Sequence, residues 1–212
     1  MTDPARGTAA DWDQRYAQGS PWHAGPNVTV REVVSALPPG RARDVACGDG
    51  RHSIWLAGLG WSVDAVDFSA VAVERGRETA ERLAADGALP GPIRWAVADV
   101  STDRPEPGSA DLVLLSFVHL PPDQARSTLE LSASALAPGG RLLLVGHDRT
   151  NLTAGVGGPR RHEVLTDPDE VAEVLTGAGL RVERAEIVRR SVAGADRDAL
   201  DTVVEAVRPV PD

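Results

Sequence analysis

The sequence predicts a doubly wound α/β domain: a mostly parallel seven-stranded sheet, helices on both faces, and an antiparallel strand pair at the carboxyl-terminal end. Three observations carry this expectation. Apolar runs of strand length alternate with helical segments from Arg41 to Leu180. A glycine turn, Cys47-Gly48-Asp49-Gly50, joins the first strand to a helix, and a second strand ends about 20 residues later in a carboxylate, Asp67. Finally, the last two strands, near Leu180–Val188 and Thr202–Val207, lack between them the helix that a parallel crossover requires.

Taken in order, the chain opens on a polar stretch in which Trp12, Arg15, Tyr16 and Trp22 fall among Asp, Gln, Gly and Ser with weak periodicity. It reads either as an amphipathic helix on the sheet or as a cap over a ligand, since Gly19, Pro21, Gly25 and Pro26 follow as a hinge-like stretch. Residues 1–26 are therefore set apart as a cap segment, and 27–212 as the core of one domain. Asn27 to Leu37 carries a helical apolar face and stops at Pro38-Pro39-Gly40. Arg41 to Cys47 is the first strand, with a helix beginning at Ser53. After the strand Trp61–Asp67, Ser69 is an N-cap for a helix that Asp86-Gly87 ends. Pro92–Ala98 is the third strand and delivers Asp99. Asp111–Val118 is apolar almost throughout, as a central strand buried on both faces should be. A helix from Pro122 ends at Pro138-Gly139-Gly140 before the strand Arg141–Gly146. Asp167-Pro168-Asp169-Glu170 supplies an N-cap, a proline at the first helical position and an acid in the first turn.

Composition bounds the function. A chain of 212 residues with 42% hydrophobic and 25% charged residues is a globular domain of ordinary size. Its net charge of −9 argues against a nucleic-acid backbone and an anionic membrane surface as partners. No apolar run has the length of a membrane span, and the first residues lack the apolar core of a signal peptide, so a cytoplasmic monomer or homodimer is expected. Cys47 is the one cysteine, which leaves no disulfide framework; at a tight turn it reads as a small packing residue. Every basic side chain other than histidine is arginine, which excludes lysine chemistry.

A glycine turn at a helix start presents free amides to a nucleotide-like cofactor. Here Gly48 and Gly50 would admit positive φ and a close ligand, and Asp67 would accept the hydroxyls of a ribose. By the switch-point rule, a second reactant should lie beyond the carboxyl ends of strands four and five. His119 and His147 follow those strand ends, and they are the candidate catalytic residues. A metal site from His119, His147 and Asp148 is not expected. Asn151 to His162, with Gly155, Gly157 and Gly158, suits a loop over that second pocket.

Asp44-Val45-Ala46-Cys47-Gly48-Asp49-Gly50 resembles the first motif of the class I S-adenosylmethionine-dependent methyltransferases, with Ala46 where a glycine is usual. Val66-Asp67-Phe68-Ser69 resembles that family's ribose-binding strand end, Ala98-Asp99-Val100 its adenine site, and Leu136-Ala137-Pro138-Gly139-Gly140 a further signature. Trp12-Asp13-Gln14-Arg15-Tyr16 and Pro21-Trp22 are similar to the tellurite-resistance and thiopurine methyltransferase-like branch. The resemblance implies a Rossmann-like fold and methyl transfer from S-adenosyl-L-methionine, leaving S-adenosyl-L-homocysteine. It implies a cofactor set of Asp44, Ala46, Gly48, Gly50, Asp67, Phe68, Asp99, Val100, Ser116, Tyr16 and Trp22. The branch points to a small acceptor with a soft nucleophile, a thiol or related chalcogen; the two histidines point instead to a nitrogen or hydroxyl acceptor deprotonated by imidazole. A nicotinamide-binding Rossmann fold is the rival for the cofactor, but Ser53 stands where its third glycine would be. A non-catalytic sensor that binds the methyl donor is the rival for the activity.

Overall fold

The computed structural model describes residues 7–20 and 25–211; Pro21 and Trp22, expected in the cap, lie outside the described residues. One sheet of seven strands runs in the order β3-β2-β1-β4-β5-β7-β6. Strands β1 (Arg41–Val45), β2 (Ser62–Asp67), β3 (Ile93–Val97), β4 (Ala110–Ser116) and β5 (Leu136–His147) are mutually parallel. β7 (Ala199–Val207) inserts antiparallel between β5 and β6 (Arg181–Arg190), as the short final connection requires. The strand order reverses between β1 and β4, and that reversal opens the crevice used below.

The central strand shows why both faces are covered. Along β4, Leu112 and Leu114 pack with Val30 and Val34 of α2 (Val28–Val34) and Leu56 and Ala57 of α3 (Arg51–Gly58). Val113 and Leu115 alternate to the other face, against Leu129 and Ala133 of α5 (Pro122–Ala135) and Val171 and Leu175 of α7 (Pro168–Gly177). All four strand residues are almost completely buried. Truncating one such leucine costs about 2–5 kcal/mol. α4 (Ala70–Ala85) packs against β2 and β3, and no helix intervenes between β3 and β4. No described helix is long and apolar enough to cross a membrane.

Several boundaries differ from the sequence expectation for physical reasons. Residues Ala9–Ala17 form a helix, α1, despite their weak apolar period. A capping box fixes its start: the Thr8 side chain accepts from the Asp11 amide while the Asp11 carboxylate accepts from the Thr8 amide. β4 stops at Ser116, two residues short of Val118, because Phe117 takes φ +56°. β5 begins at Leu136, ahead of Arg141, since Leu136 leaves the helix and pairs with Ala110. The expected loop over 151–162 holds a short helix, α6 (Asn151–Ala154), and a 3-10 turn at His162–Val164. Asn151 pins the loop, donating to the Gly157 carbonyl at 2.9 Å and accepting from the Leu200 amide at 2.8 Å.

Candidate active site

The turn after β1 is built from an unusual run of left-handed residues: Ala46 at φ +57°, Gly48 at +57° and Gly50 at +77°. The two glycines serve different neighbours. A Cβ on Gly48 would stand 2.4 Å from the Tyr16 hydroxyl, so this glycine lets α1 settle over the turn. A Cβ on Gly50 would stand 2.2 Å from the Trp95 ring, which also covers Gly76 of α4. Gly50 thus admits a side chain of the protein on its open side, where sequence reasoning placed a ligand. The glycine amides are also engaged, Gly48 donating to Asp67 at 2.8 Å and Gly50 to the Cys47 carbonyl at 3.0 Å. The amides without a partner among the described residues are those of Asp49, Arg51 and His52, at the start of α3, where Gly50 supplies no side-chain cap.

Three carboxylates surround this turn. Asp44, nearly inaccessible, accepts from the Ser53 hydroxyl at 2.6 Å. Burial pushes its carboxyl up to about 7, against the opposing pull of that hydrogen bond and of the Arg51 charge. Asp67 accepts from Gly48 through one oxygen and from the Ser69 amide through the other, both at 2.8 Å. Each oxygen keeps a lone pair for a further donor. Burial raises this carboxyl too, although three backbone hydrogen bonds oppose it. Asp13 of α1 reaches the start of α4, accepting from the Ser69 hydroxyl at 2.6 Å and the Val71 amide at 3.1 Å. Asp13 thereby anchors α1 and places Tyr16, itself buried, above Gly48. The N-terminal stretch is a docked helix, with Trp12 6.0 Å from Tyr16 and the Arg15 guanidinium over the Trp12 ring.

On the far side of β2, Phe68 follows Asp67 and is half-buried. Exposed Asp99 turns one oxygen to the Ser101 amide and hydroxyl at 2.9 and 2.7 Å and leaves the other outward, beside buried Val100. Burial raises the Cys47 thiol well above its ordinary value, consistent with a packing role.

The ends of β4 and β5 bring the two histidines together. Their rings are parallel, within 1°, with centroids 5.7 Å apart. The Phe117 ring lies 4.8 Å from His147, and the open side of Gly158 closes on the His147 ring. His147 Nδ1 lies 3.2 Å from an Asp201 oxygen, an ion-pair distance without hydrogen-bond alignment. Asp201, fully inaccessible, also accepts from Arg190 at 2.5 Å, and Arg190 lies over Phe117. Burial pushes the Asp201 carboxyl up, but His147 and Arg190 outweigh it and hold it below its usual value. Burial, with a smaller effect from His147, pulls the His119 imidazole down to about 3. Neutral at physiological pH, His119 is a weak base; its Nε2 is buried without a partner, as is the Ser116 hydroxyl. Asp148 accepts from the Thr150 amide and hydroxyl through one oxygen and from the Thr202 hydroxyl, at 2.8 Å, through the other.

Asp13, Arg51, Trp95, Arg190 and Asp201 were not legible as site residues. Asp13 has a sequence cue in its place in the Trp12–Tyr16 stretch and Arg51 one in its place beside Gly50; Trp95, Arg190 and Asp201 are joined to the site by strand pairing far along the chain.

The sheet order, the left-handed turn ending β1 and the acid ending β2 together define a Rossmann-like methyltransferase fold. Residues 43–140 match the family model described as a methyltransferase domain. That span, just under half of the chain, is similar to the S-adenosylmethionine-dependent methyltransferases. A curated relative, the ribosomal RNA small subunit methyltransferase C of Alcanivorax borkumensis, is 40% identical over 72 residues, which is 32% of this chain and 22% of that protein. Among solved structures, TehB from Haemophilus influenzae superposes with a TM-score of 0.68 at 16% identity, covering 93% of this chain and 67% of that one. Magnesium protoporphyrin IX methyltransferase (ChlM) from Synechocystis PCC 6803, with bound S-adenosylhomocysteine, gives 0.66 at 22% identity over 97% and 96%. At these identities the likeness to the solved structures is one of fold.

Proposed function

We propose that the protein transfers a methyl group from S-adenosylmethionine to a small-molecule acceptor with a soft, readily ionised nucleophile, a thiol or related chalcogen. The observation that carries the reading is the turn itself: free amides at the start of α3, a buried acid on either side at Asp44 and Asp67, and the Tyr16 hydroxyl above. Such a set fits an adenosyl amino acid. Asp44 takes the ammonium group, Asp67 the ribose hydroxyls, and Asp99 the exocyclic amine of adenine beside Phe68 and Val100. Bound there, the cofactor supplies an electrophilic methyl on a sulfonium, which needs no metal. The protein orients and dries the site. Tyr16 and α1 close it on one side, and Phe117, His119 and His147 wall the other.

The acceptor side favours a nucleophile that ionises by itself. Asp148 is committed to Thr150 and Thr202, Asp201 to Arg190, and His119 is too weakly basic to remove a proton at neutral pH. His147, braced by Asp201, supports a second reading, an N- or O-methyltransferase with an imidazole base. A net charge of −9 favours a small acceptor over RNA. The rival activity, a sensor that binds the donor without turnover, leaves the stacked histidine wall without a use.

The test is the pH profile of methyl transfer to a series of thiols and amines, for the native protein and His147→Ala. Under the soft-acceptor reading the substitution lowers the maximal rate by less than about 10²-fold, and the profile moves with the acceptor's own ionisation. A larger loss, with a profile that tracks one imidazole whatever the acceptor, makes His147 the base. Absence of methyl transfer to any acceptor, with the donor bound, favours the sensor.

A further inference from the structure

Asp201 is a completely inaccessible carboxylate on β7, between two other strands. Strand pairing sets it directly opposite His147 of β5 and Val188 of β6. His147, Asp201 and, one pleat beyond Val188, Arg190 therefore point to the same face of the sheet. It is the face on which Val145 and Val203 pack one pleat earlier. Burying a carboxylate is costly unless its oxygens are engaged. The Arg190 fork closes on both of them, with Nε 2.5 Å from Oδ2 and Nη2 3.2 Å from Oδ1. Arg190 is itself held over the Phe117 ring, 5.4 Å from the centroid. With its rotation fixed by this fork, Asp201 turns Oδ1 to His147 Nδ1, 3.2 Å away. That nitrogen is buried and has no other partner among the described residues, so the 12% exposure of the His147 side chain lies on its remaining atoms. The ring has little freedom: Phe117 and His119 lie against it, and a Cβ on Gly158 would stand 2.7 Å from it. A neutral imidazole carries one proton, and the partner of one nitrogen decides the state of the other. A carboxylate, which only accepts, favours the proton on the nitrogen beside it.

Resting on the reading that the acceptor lies against the histidine wall, we propose that Asp201 is a positioning residue: clamped by Arg190, it holds His147 as the Nδ1–H tautomer and presents Nε2 to the acceptor as a bare lone pair. The acceptor molecule then carries a hydrogen-bond donor for this nitrogen. Nδ1 and Oδ1 are close without being aligned, as is common before a substrate tightens such a site.

The experiment is proton–nitrogen correlation NMR of the histidine rings, which reads the tautomer without any acceptor. His147→Gln assigns the signal, and spectra are taken at a pH where the ring is neutral. The native protein should show His147 protonated on Nδ1. In Asp201→Asn the Arg190 fork keeps the amide oxygen, the amide NH2 faces Nδ1, and the ring should switch to the Nε2–H form. Arg190→Gln should leave the two forms mixed, and Arg190→Lys should restore part of the native preference. An Nε2–H ring in the native protein, or an Nδ1–H ring that persists in Asp201→Asn, overturns the assignment. If Asp201→Asn fails to fold, a mixed ring in Arg190→Gln supports it and an unchanged ring there overturns it. Methyl transfer to the thiol and amine series gives a second readout. Asp201→Asn should lower kcat, leave the Kd for S-adenosylmethionine within about twofold, and cost nothing further in a His147→Ala background. A further loss in that background overturns the proposal. A native protein that binds S-adenosylmethionine but methylates none of the series is a different result: it removes the methyl-transfer reading, and the tautomer still decides whether Asp201 positions His147.

Discussion

At the residue scale, Ala46 sits at φ +57°, where an L side chain crowds its own backbone at a cost of about 1–2 kcal/mol. Glycine at this position relieves the crowding and gives back about half of that in lost chain entropy. Ala46→Gly should therefore stabilise the protein by about 1 kcal/mol or less, read as a rise in Tm of about 2 °C; a fall in Tm would contradict the conformation. Asp44 supplies a pH signature. Its folded carboxyl titrates near 7 and an unfolded one near 3.8, so the folded protein holds the proton between these values. The contribution to stability is complete below about 4 and is lost as pH rises through 7. An ammonium ligand requires the ionised form, so cofactor affinity should strengthen as pH rises from 6 to 8. Asp44→Asn should flatten both dependences; an unaltered pH dependence of affinity would remove Asp44 from the site.

At the scale of elements, Gly50 and Trp95 make the packing of β3 on the turn testable. Gly50→Ala adds both a strained φ of +77° and a collision with Trp95, so it should destabilise by more than the strain alone. Trp95→Leu in the same chain should recover part of the loss, and full additivity of the two changes would show that they do not meet. Helix α1 hangs on Asp13, which occupies the start of α4. Asp13→Ala should cost about 1 kcal/mol of stability, as lost caps do, and speed hydrogen exchange through 9–17. Equal exchange in variant and native protein would mean that α1 is held by something else. The legibility of elements follows the same logic. Asp167-Pro168 and Ser69 announced helices because caps are local, and both helices start where expected. α1 was only half legible because its apolar period is poor and its helicity comes from the Thr8–Asp11 box and a distant anchor. The early end of β4 had no local signal, since Phe117 reaches a left-handed conformation while its ring packs between His147 and Arg190.

For the whole molecule, the sheet order was readable as a class from the alternation of runs and the short last connection. The proposed acceptor wall was readable only in part. His119 falls just after β4 and His147 is the last residue of the neighbouring β5, a juxtaposition that topology supplies. Asp201 and Arg190 join them only because β7 inserts between β5 and β6, which sequence spacing does not announce. Burial of imidazoles also sets acid stability. His52, whose Nε2 accepts from the Asn27 amide, and His119 are both held neutral down to about 3, whereas free histidine titrates near 6.5. The unfolded chain takes up these protons first, so stability should fall as pH drops from about 6.5 toward 3. His119→Gln should soften that fall; a variant as acid-sensitive as the native protein would show His119 to be solvated.

Calorimetric titration of the native protein and Asp67→Ala with S-adenosylhomocysteine and, separately, with NAD tests whether the turn after β1 holds the methyl donor. Asp67 bridges Gly48 and Ser69 and is the residue proposed to accept the ribose hydroxyls, so under that proposal its removal deletes a charge-assisted pair that contributes about 1.5–3 kcal/mol. The expected result is saturable binding of S-adenosylhomocysteine to the native protein, affinity lower by one to two orders of magnitude in Asp67→Ala, and no binding of NAD. Binding of NAD without S-adenosylhomocysteine, or equal affinity of both proteins for S-adenosylhomocysteine, would contradict it.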